Sequence, residues 1–268
     1  MHKNIFIISL ITALPLLSSS STEYTTEALR EAIKKCRIQG LVGEHNSKIC
    51  ELRSKFLHPD LMGELDEYEN FFILYGKTGN GKSAIAQNLA DECFFDARLF
   101  KIRSNIYMGD PEDLDNLFRD VEMHSHATKA ILIIDDIDYM KISHNPIFRN
   151  CFCEFLKKNR NNKNLLVIGT TTDVTLLHEQ IKSYFRNFIL VDFPDLQARK
   201  DILHHYSNEY VKLNDTLIDQ ISQKTGGLSR KSLMNIILQI RQHLLIYETL
   251  PDDNVINILI LEARRSER

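Results

Sequence analysis

The chain has 268 residues, 43% hydrophobic and 26% charged, with a formal net charge of −3. This is an ordinary globular composition, long enough for one large domain or two smaller ones. The mildly acidic balance argues against a dedicated nucleic-acid binder, and five cysteines, an odd number, exclude a complete disulfide framework.

Residues 1–21 open with Lys3, continue through a largely apolar run of about 13 residues from Ile5 to Leu17, and close on Ser18–Ser21. That layout matches a secretory signal. The run is short of the about 20 residues that span a bilayer, so an anchor or an ordinary buried segment is the weaker reading. Residues 22–45 follow as a helical linker, with Leu29, Ile33 and Cys36 at helical spacing until Gly40 and Gly43 break the pattern. Ile49–Leu61 is again helical, with Pro59 at its end. Beyond it, Phe71–Tyr75 is a predicted strand, and a helix runs from about Lys82 to Cys93. Leu99–Ile102 is a short strand candidate, and Asp113–Met123 carries Leu114, Leu117, Phe118 and Val121 on one helical face. Ala130–Ile134 is a continuous apolar run, the signature of a strand buried on both faces of a parallel sheet. Phe152–Lys158 reads as a helix end, and Arg160–Asn164 as a solvated loop. Leu165–Ile168, closed by Gly169, and Phe188–Phe193 are further strands.

After Pro194 the pattern becomes purely helical: Ala198–Tyr210, Thr216–Thr225, Ser229–Tyr247 with Ser229 as N-cap, and Asn254–Arg264. Strands alternating with helices predict a parallel α/β sheet over residues 46–196, and the helical tail a small lid domain over residues 197–268.

Chemistry concentrates at two places. Between the first strand and its helix the sequence reads Gly76-Lys77-Thr78-Gly79-Asn80-Gly81-Lys82-Ser83, a G-x-x-x-x-G-K-S phosphate loop in its proper strand–helix setting. Glycines let such a loop curl with its N–H groups aimed at phosphate oxygens, at the positive end of a helix. Lys82 is placed to reach the β and γ phosphates, and Ser83 to ligate Mg²⁺. The strand Ile131–Ile134 runs into Asp135-Asp136-Ile137-Asp138. Ligands gather at the carboxyl ends of parallel strands, so Asp135 is expected to hold Mg²⁺ and Asp136 to orient an attacking water. The cysteines and histidines show no metal-ligand spacing.

With these motifs the chain resembles the AAA ATPases, in particular the katanin-like and proteasome-type group, over about residues 41–245. Gly76–Ser83 is similar to that family's Walker A, and Ile131–Asp138 to its strand ending in Asp-Glu-Ile-Asp, with Asp136 where Glu is usual. Ile106-Tyr107-Met108-Gly109 resembles the pore loop, which implies that Tyr107, Met108 and Gly109 contact a polypeptide substrate. Thr172, after Ile168–Thr171, stands where the sensor strand carries Asn. Arg186, ahead of Phe193-Pro194-Asp195, resembles the arginine finger but is shifted by one and is single. Gly227-Leu228-Ser229-Arg230 is similar to the start of the sensor-2 helix of the wider superfamily, which implies Arg230 on the γ-phosphate.

The resemblance implies an ATP hydrolase that uses Mg²⁺ and works as a homo-oligomer, a hexameric ring, on a polypeptide or through an adaptor. Asp136, Thr172 and the single arginine leave open a nucleotide-binding scaffold with weak or no hydrolysis. A clamp-loader-like ATPase acting on DNA fits the lid arginine but not the acidic balance. ATP implies a cytoplasmic or other ATP-containing compartment, at odds with a secretory leader, and only that leader would bring the chain to a membrane.

Overall fold

A computed structural model describes residues 70–93, 97–103, 111–138 and 146–267, together with Ile49, Arg53, Phe56 and Leu57. The leader, the linker and the Tyr107–Gly109 segment lie outside the described residues.

Five strands form one parallel sheet: β1 (Phe71–Tyr75), β2 (Ala97–Arg103), β3 (Lys129–Asp135), β4 (Leu165–Thr171) and β5 (Asn187–Leu190), in the order β2-β3-β4-β1-β5. Helices α1 (Lys82–Glu92), α2 (Pro111–Ala127), α3 (Pro146–Asn159) and the single turn α4 (Glu179–Lys182) connect them. The apolar runs are continuous because both faces are covered. Phe71, Ile73, Leu132, Ile134 and Val167 share one core with α2 and α3, where Phe118 stacks on Phe152 and Phe155 at 5.7 and 4.5 Å between centroids. The alternate residues Phe72, Leu74, Ile131, Ile133 and Ile168 are buried outside that cluster, as are Ile85, Ala86, Leu89 and Ala90 of α1, which touches β1, β3 and β4.

Four further helices follow: α5 (Leu196–Tyr210), α6 (Asp215–Lys224), α7 (Arg230–Tyr247) and α8 (Asp253–Ser266). Each begins at a residue whose side chain accepts a backbone N–H of the first turn: Asp195, Asn214, Ser229 and Asp252. They bury a core of their own, made largely of Ile and Leu: Ile202, Leu203, Ile221, Leu233, Ile237 and Ile256 among them.

Element boundaries differ from the sequence expectations where tertiary pairing decides them. Gly169 does not close β4, which continues to Thr171 because Leu74 and Tyr75 offer a ladder to Thr170 and Thr171. A Cβ at Gly169 would lie 3.2 Å from Ile73 Cγ1, so the glycine allows close packing instead of ending the strand. Conversely β5 spans Asn187–Leu190, not Phe188–Phe193, since its partner β1 ends at Tyr75 opposite Leu190. The helix expected at Phe152–Lys158 begins earlier, at Pro146, a residue suited to a first turn because it has no N–H to satisfy. Among the described residues no helix is long and apolar enough to cross a membrane.

Candidate nucleotide site

β1 lies between β4 and β5 while β2 lies at the far edge, so the chain changes direction beside β1 and opens a crevice at the strands' carboxyl ends. The turn leaving β1 occupies that crevice. Gly76, Gly79 and Gly81 have φ of 142°, 90° and 98°, conformations that L side chains rarely adopt. At Gly76 the need is absolute, because a Cβ would lie 2.3 Å from Val191 O. Lys82 is buried, and its Nζ donates to Gly76 O at 2.7 Å and Lys77 O at 3.1 Å, so the turn curls around its ammonium. Burial pushes the Lys82 pKa down, opposed by Asp136, Asp138 and Asp135. Asn80 ties the loop to the end of β5 through Nδ2 to Val191 O at 3.0 Å. Lys77 and Thr78 are exposed, with Lys77 Nζ 5.6 Å from the centroid of the Phe193 ring.

The second cluster meets the first directly. Ser83 Oγ donates to Asp135 Oδ1 at 2.5 Å. Thr170, at the adjacent end of β4, donates its hydroxyl to the same Oδ1 at 2.7 Å and accepts the Asp136 N–H at 2.9 Å. Asp136 has φ of 53°, a left-handed conformation that aspartate tolerates better than most residues. Its pKa is raised by partial burial first, then by Asp135 and Asp138, against the pull of Lys82. Thr172 donates its hydroxyl to Asp138 Oδ2 at 2.8 Å, and its N–H to the same oxygen at 3.3 Å. Thr170 is the residue that sequence reasoning missed. Its signal was the register, since pairing of β3 with β4 sets Ile134 opposite Gly169, one step before both functional ends.

The helical part reaches the loop through the start of α7. Lys231 N–H donates to Gly79 O at 3.0 Å, and a Cβ at Gly81 would lie 3.2 Å from Arg230 Cδ. Arg230 thus lies over the phosphate loop, its Nε donating to the Tyr206 hydroxyl at 3.4 Å. Arg186 is elsewhere: it is exposed and precedes Asn187, at the amino end of β5, whereas the loop leaves the carboxyl end of β1.

The donor set at Ser83 and Asp135 is a hydroxyl and a carboxylate, hard oxygens suited to Mg²⁺. No group of three His, Cys, Asp or Glu able to hold a metal alone occurs among the described residues.

A parallel sheet with such a turn after its first strand, backed by a helical part, is the α/β P-loop fold. Residues 72–193 match the family model described as "ATPase family associated with various cellular activities (AAA)". The chain is 27% identical over 180 residues to Cell division protein C of Sulfolobus acidocaldarius, covering 62% of this chain and 48% of that one. It is 24% identical over 240 residues to a putative 26S proteasome regulatory subunit homolog of Methanothermobacter thermautotrophicus, covering 84% of this chain and 63% of that one. A solved structure described as "Structural Basis for Katanin Self-Assembly" superposes with a TM-score of 0.64 at 19% identity, covering 92% of this chain and 91% of that one. Residues 72–193 are thus similar to the AAA ATPase family. The chain spans about half to two thirds of the length of those two relatives.

Proposed function

We propose that the chain binds and hydrolyses Mg²⁺-ATP and uses the energy to remodel or thread a polypeptide as a homo-oligomeric ring. The observation that carries this reading is the 2.5 Å link from Ser83 Oγ to Asp135 Oδ1, which joins the phosphate loop to the acidic end of β3. Residues 46–196 form the ATPase part and residues 197–268 the lid. The amides of Gly76–Ser83, with Lys77, Thr78 and Asn80 along the loop, cradle the triphosphate, and Lys82 neutralises its β and γ oxygens. Ser83 and Asp135 would hold Mg²⁺, which would supply charge neutralisation for the phosphates. Asp136 orients the attacking water and accepts its proton. Thr172 supports that water from beside Asp138. Arg230 reports the γ-phosphate to the lid, while Arg186 serves a neighbouring copy's nucleotide. Tyr107, Met108 and Gly109 grip the polypeptide.

A second reading, a nucleotide-dependent scaffold with little turnover, is favoured by one observation: the only hydroxyl hydrogen of Thr172 goes to Asp138. Phosphate release from Mg²⁺-ATP by the purified chain decides between them. Turnover that falls at least about a hundredfold in Asp136→Asn, with ATP affinity kept, is the expected result. Tight ATP binding without turnover favours the scaffold, and wild-type ATP affinity in Lys82→Ala removes the phosphate-loop reading altogether.

A further inference from the structure

α7 is the element that brings the helical part onto the phosphate loop, and it does so with its first residues. Lys231 N–H bonds Gly79 O at 3.0 Å, and a Cβ at Gly79 would lie 2.9 Å from Ser229 Oγ. Any tilt of the start of α7 therefore moves Arg230 relative to the loop.

What fixes that tilt is unusual. A helix start is commonly locked by a capping box: the N-cap hydroxyl accepts the N–H three residues on, and a Glu or Gln there reaches back to the N-cap N–H. Here the first half is present, since Ser229 Oγ accepts Ser232 N–H at 3.2 Å. The second half is not available locally, because position 232 is a serine whose hydroxyl is too short to return the bond. Glu267, just beyond α8, completes it. Its Oε1 accepts the Ser229 N–H at 2.8 Å and the Ser232 hydroxyl at 2.7 Å. Ser229 Oγ lies 3.3 Å from Ser232 Oγ, to which it donates, so the two hydroxyls and one carboxylate oxygen form a closed circuit. Ser229 and Ser232 are both buried, and Glu267 reaches them from a half-buried position. Lys77 of the phosphate loop adds an electrostatic pull on the same carboxylate.

We propose that Glu267 is the positioning residue that holds the start of α7, and with it Arg230, against the phosphate loop, so that the docking of α8 sets how tightly nucleotide is held. The inference rests on the phosphate-loop reading above. It makes nucleotide affinity depend on a carboxylate that lies outside the phosphate loop and bonds Ser229 and Ser232. It also gives the lid a release point: withdrawing α8 frees the Ser229 N–H and loosens Arg230 together.

The test is calorimetric titration of the full chain with ATP, at a temperature where every variant is folded by circular dichroism. Glu267→Ala is expected to weaken binding roughly fivefold or more. In an Arg230→Ala background the same change is expected to add little, because its effect runs through that side chain. Ser232→Glu combined with Glu267→Ala rebuilds a local capping box and is expected to restore most of the affinity. Wild-type affinity in Glu267→Ala, while Lys82→Ala abolishes binding, overturns the inference and leaves the phosphate-loop reading intact. Losses that add in the Arg230→Ala background, or that persist in the Ser232→Glu pair, overturn it too, since a merely structural residue gives that pattern. If Lys82→Ala binds ATP as wild type does, both fall.

Discussion

The carboxylate of Asp138 takes both the N–H and the hydroxyl of Thr172 on one oxygen, at 3.3 and 2.8 Å, while its other oxygen is buried and has no hydrogen-bond partner among the described residues. Asp138 is thus an anchor for the strand end that follows β4. Removing it strands two donors. Asp138→Ala is expected to cost about 1–3 kcal/mol in urea unfolding. Thr172→Val removes one of those donors together with its need, so Asp138→Ala with Thr172→Val should cost less than the sum of the two single changes. Strict additivity in that cycle would show that the contact carries no energy.

Thr170 bridges the two aspartates more directly. Its hydroxyl donates to Asp135 Oδ1 and accepts from the Asp136 backbone. Thr170→Val keeps the shape and deletes both bonds, leaving Asp135 free to turn away from Ser83. Groups that orient a metal's ligands typically contribute 10–100-fold, so Mg²⁺-dependent turnover should fall by about that factor. Nucleotide affinity measured in chelator should hardly change. A loss of equal size with and without Mg²⁺ would count against this role for Thr170.

How far the sequence could be read follows from where the information sits. The Gly76–Ser83 turn was legible because its demands are local: small residues where φ is positive, and a lysine at the helix start. Ser83 and Asp135 are far apart in the chain, yet their meeting was legible too, since parallel strands put their carboxyl ends together. Ser229 as an N-cap was legible for the same local reason. The continuation of β4 past Gly169 was not, because the neighbouring strand supplies the reason for it. Nor was Glu267: its partner Ser232 lies 35 residues away, and nothing local marks a glutamate as another helix's cap.

The tightest backbone approach gives a stability prediction. Gly76 has φ of 142° and no room for a Cβ beside Val191 O, whereas a Cβ at Gly226 meets nothing within 4 Å. Gly76→Ala is expected to destabilise by about 3 kcal/mol or more, through a forced shift of β5 away from the loop. Gly226→Ala should stay within about 0.5 kcal/mol of wild type. Thermal melts of the two variants check this, and equal Tm values would show that the loop yields more easily than its geometry indicates.

The junction at Glu267 gives a pH signature. Burial raises its pKa, but the hydrogen bonds from Ser229 and Ser232 and the charge of Lys77 outweigh this and hold the carboxyl below the ordinary glutamate value of 4.5. A carboxyl depressed by folding stabilises the fold in its ionised form. That contribution is complete above 4.5 and drains away as the pH falls through the lower folded value. The Tm gap between wild type and Glu267→Ala should therefore be flat from neutral pH down to mildly acidic conditions and narrow only below 4.5. Added salt should shrink the part due to Lys77, which is exposed, and leave the part due to the two serines. A gap that widens on acidification would mean that the carboxyl is protonated in its junction, with Ser232 accepting a hydrogen bond from it.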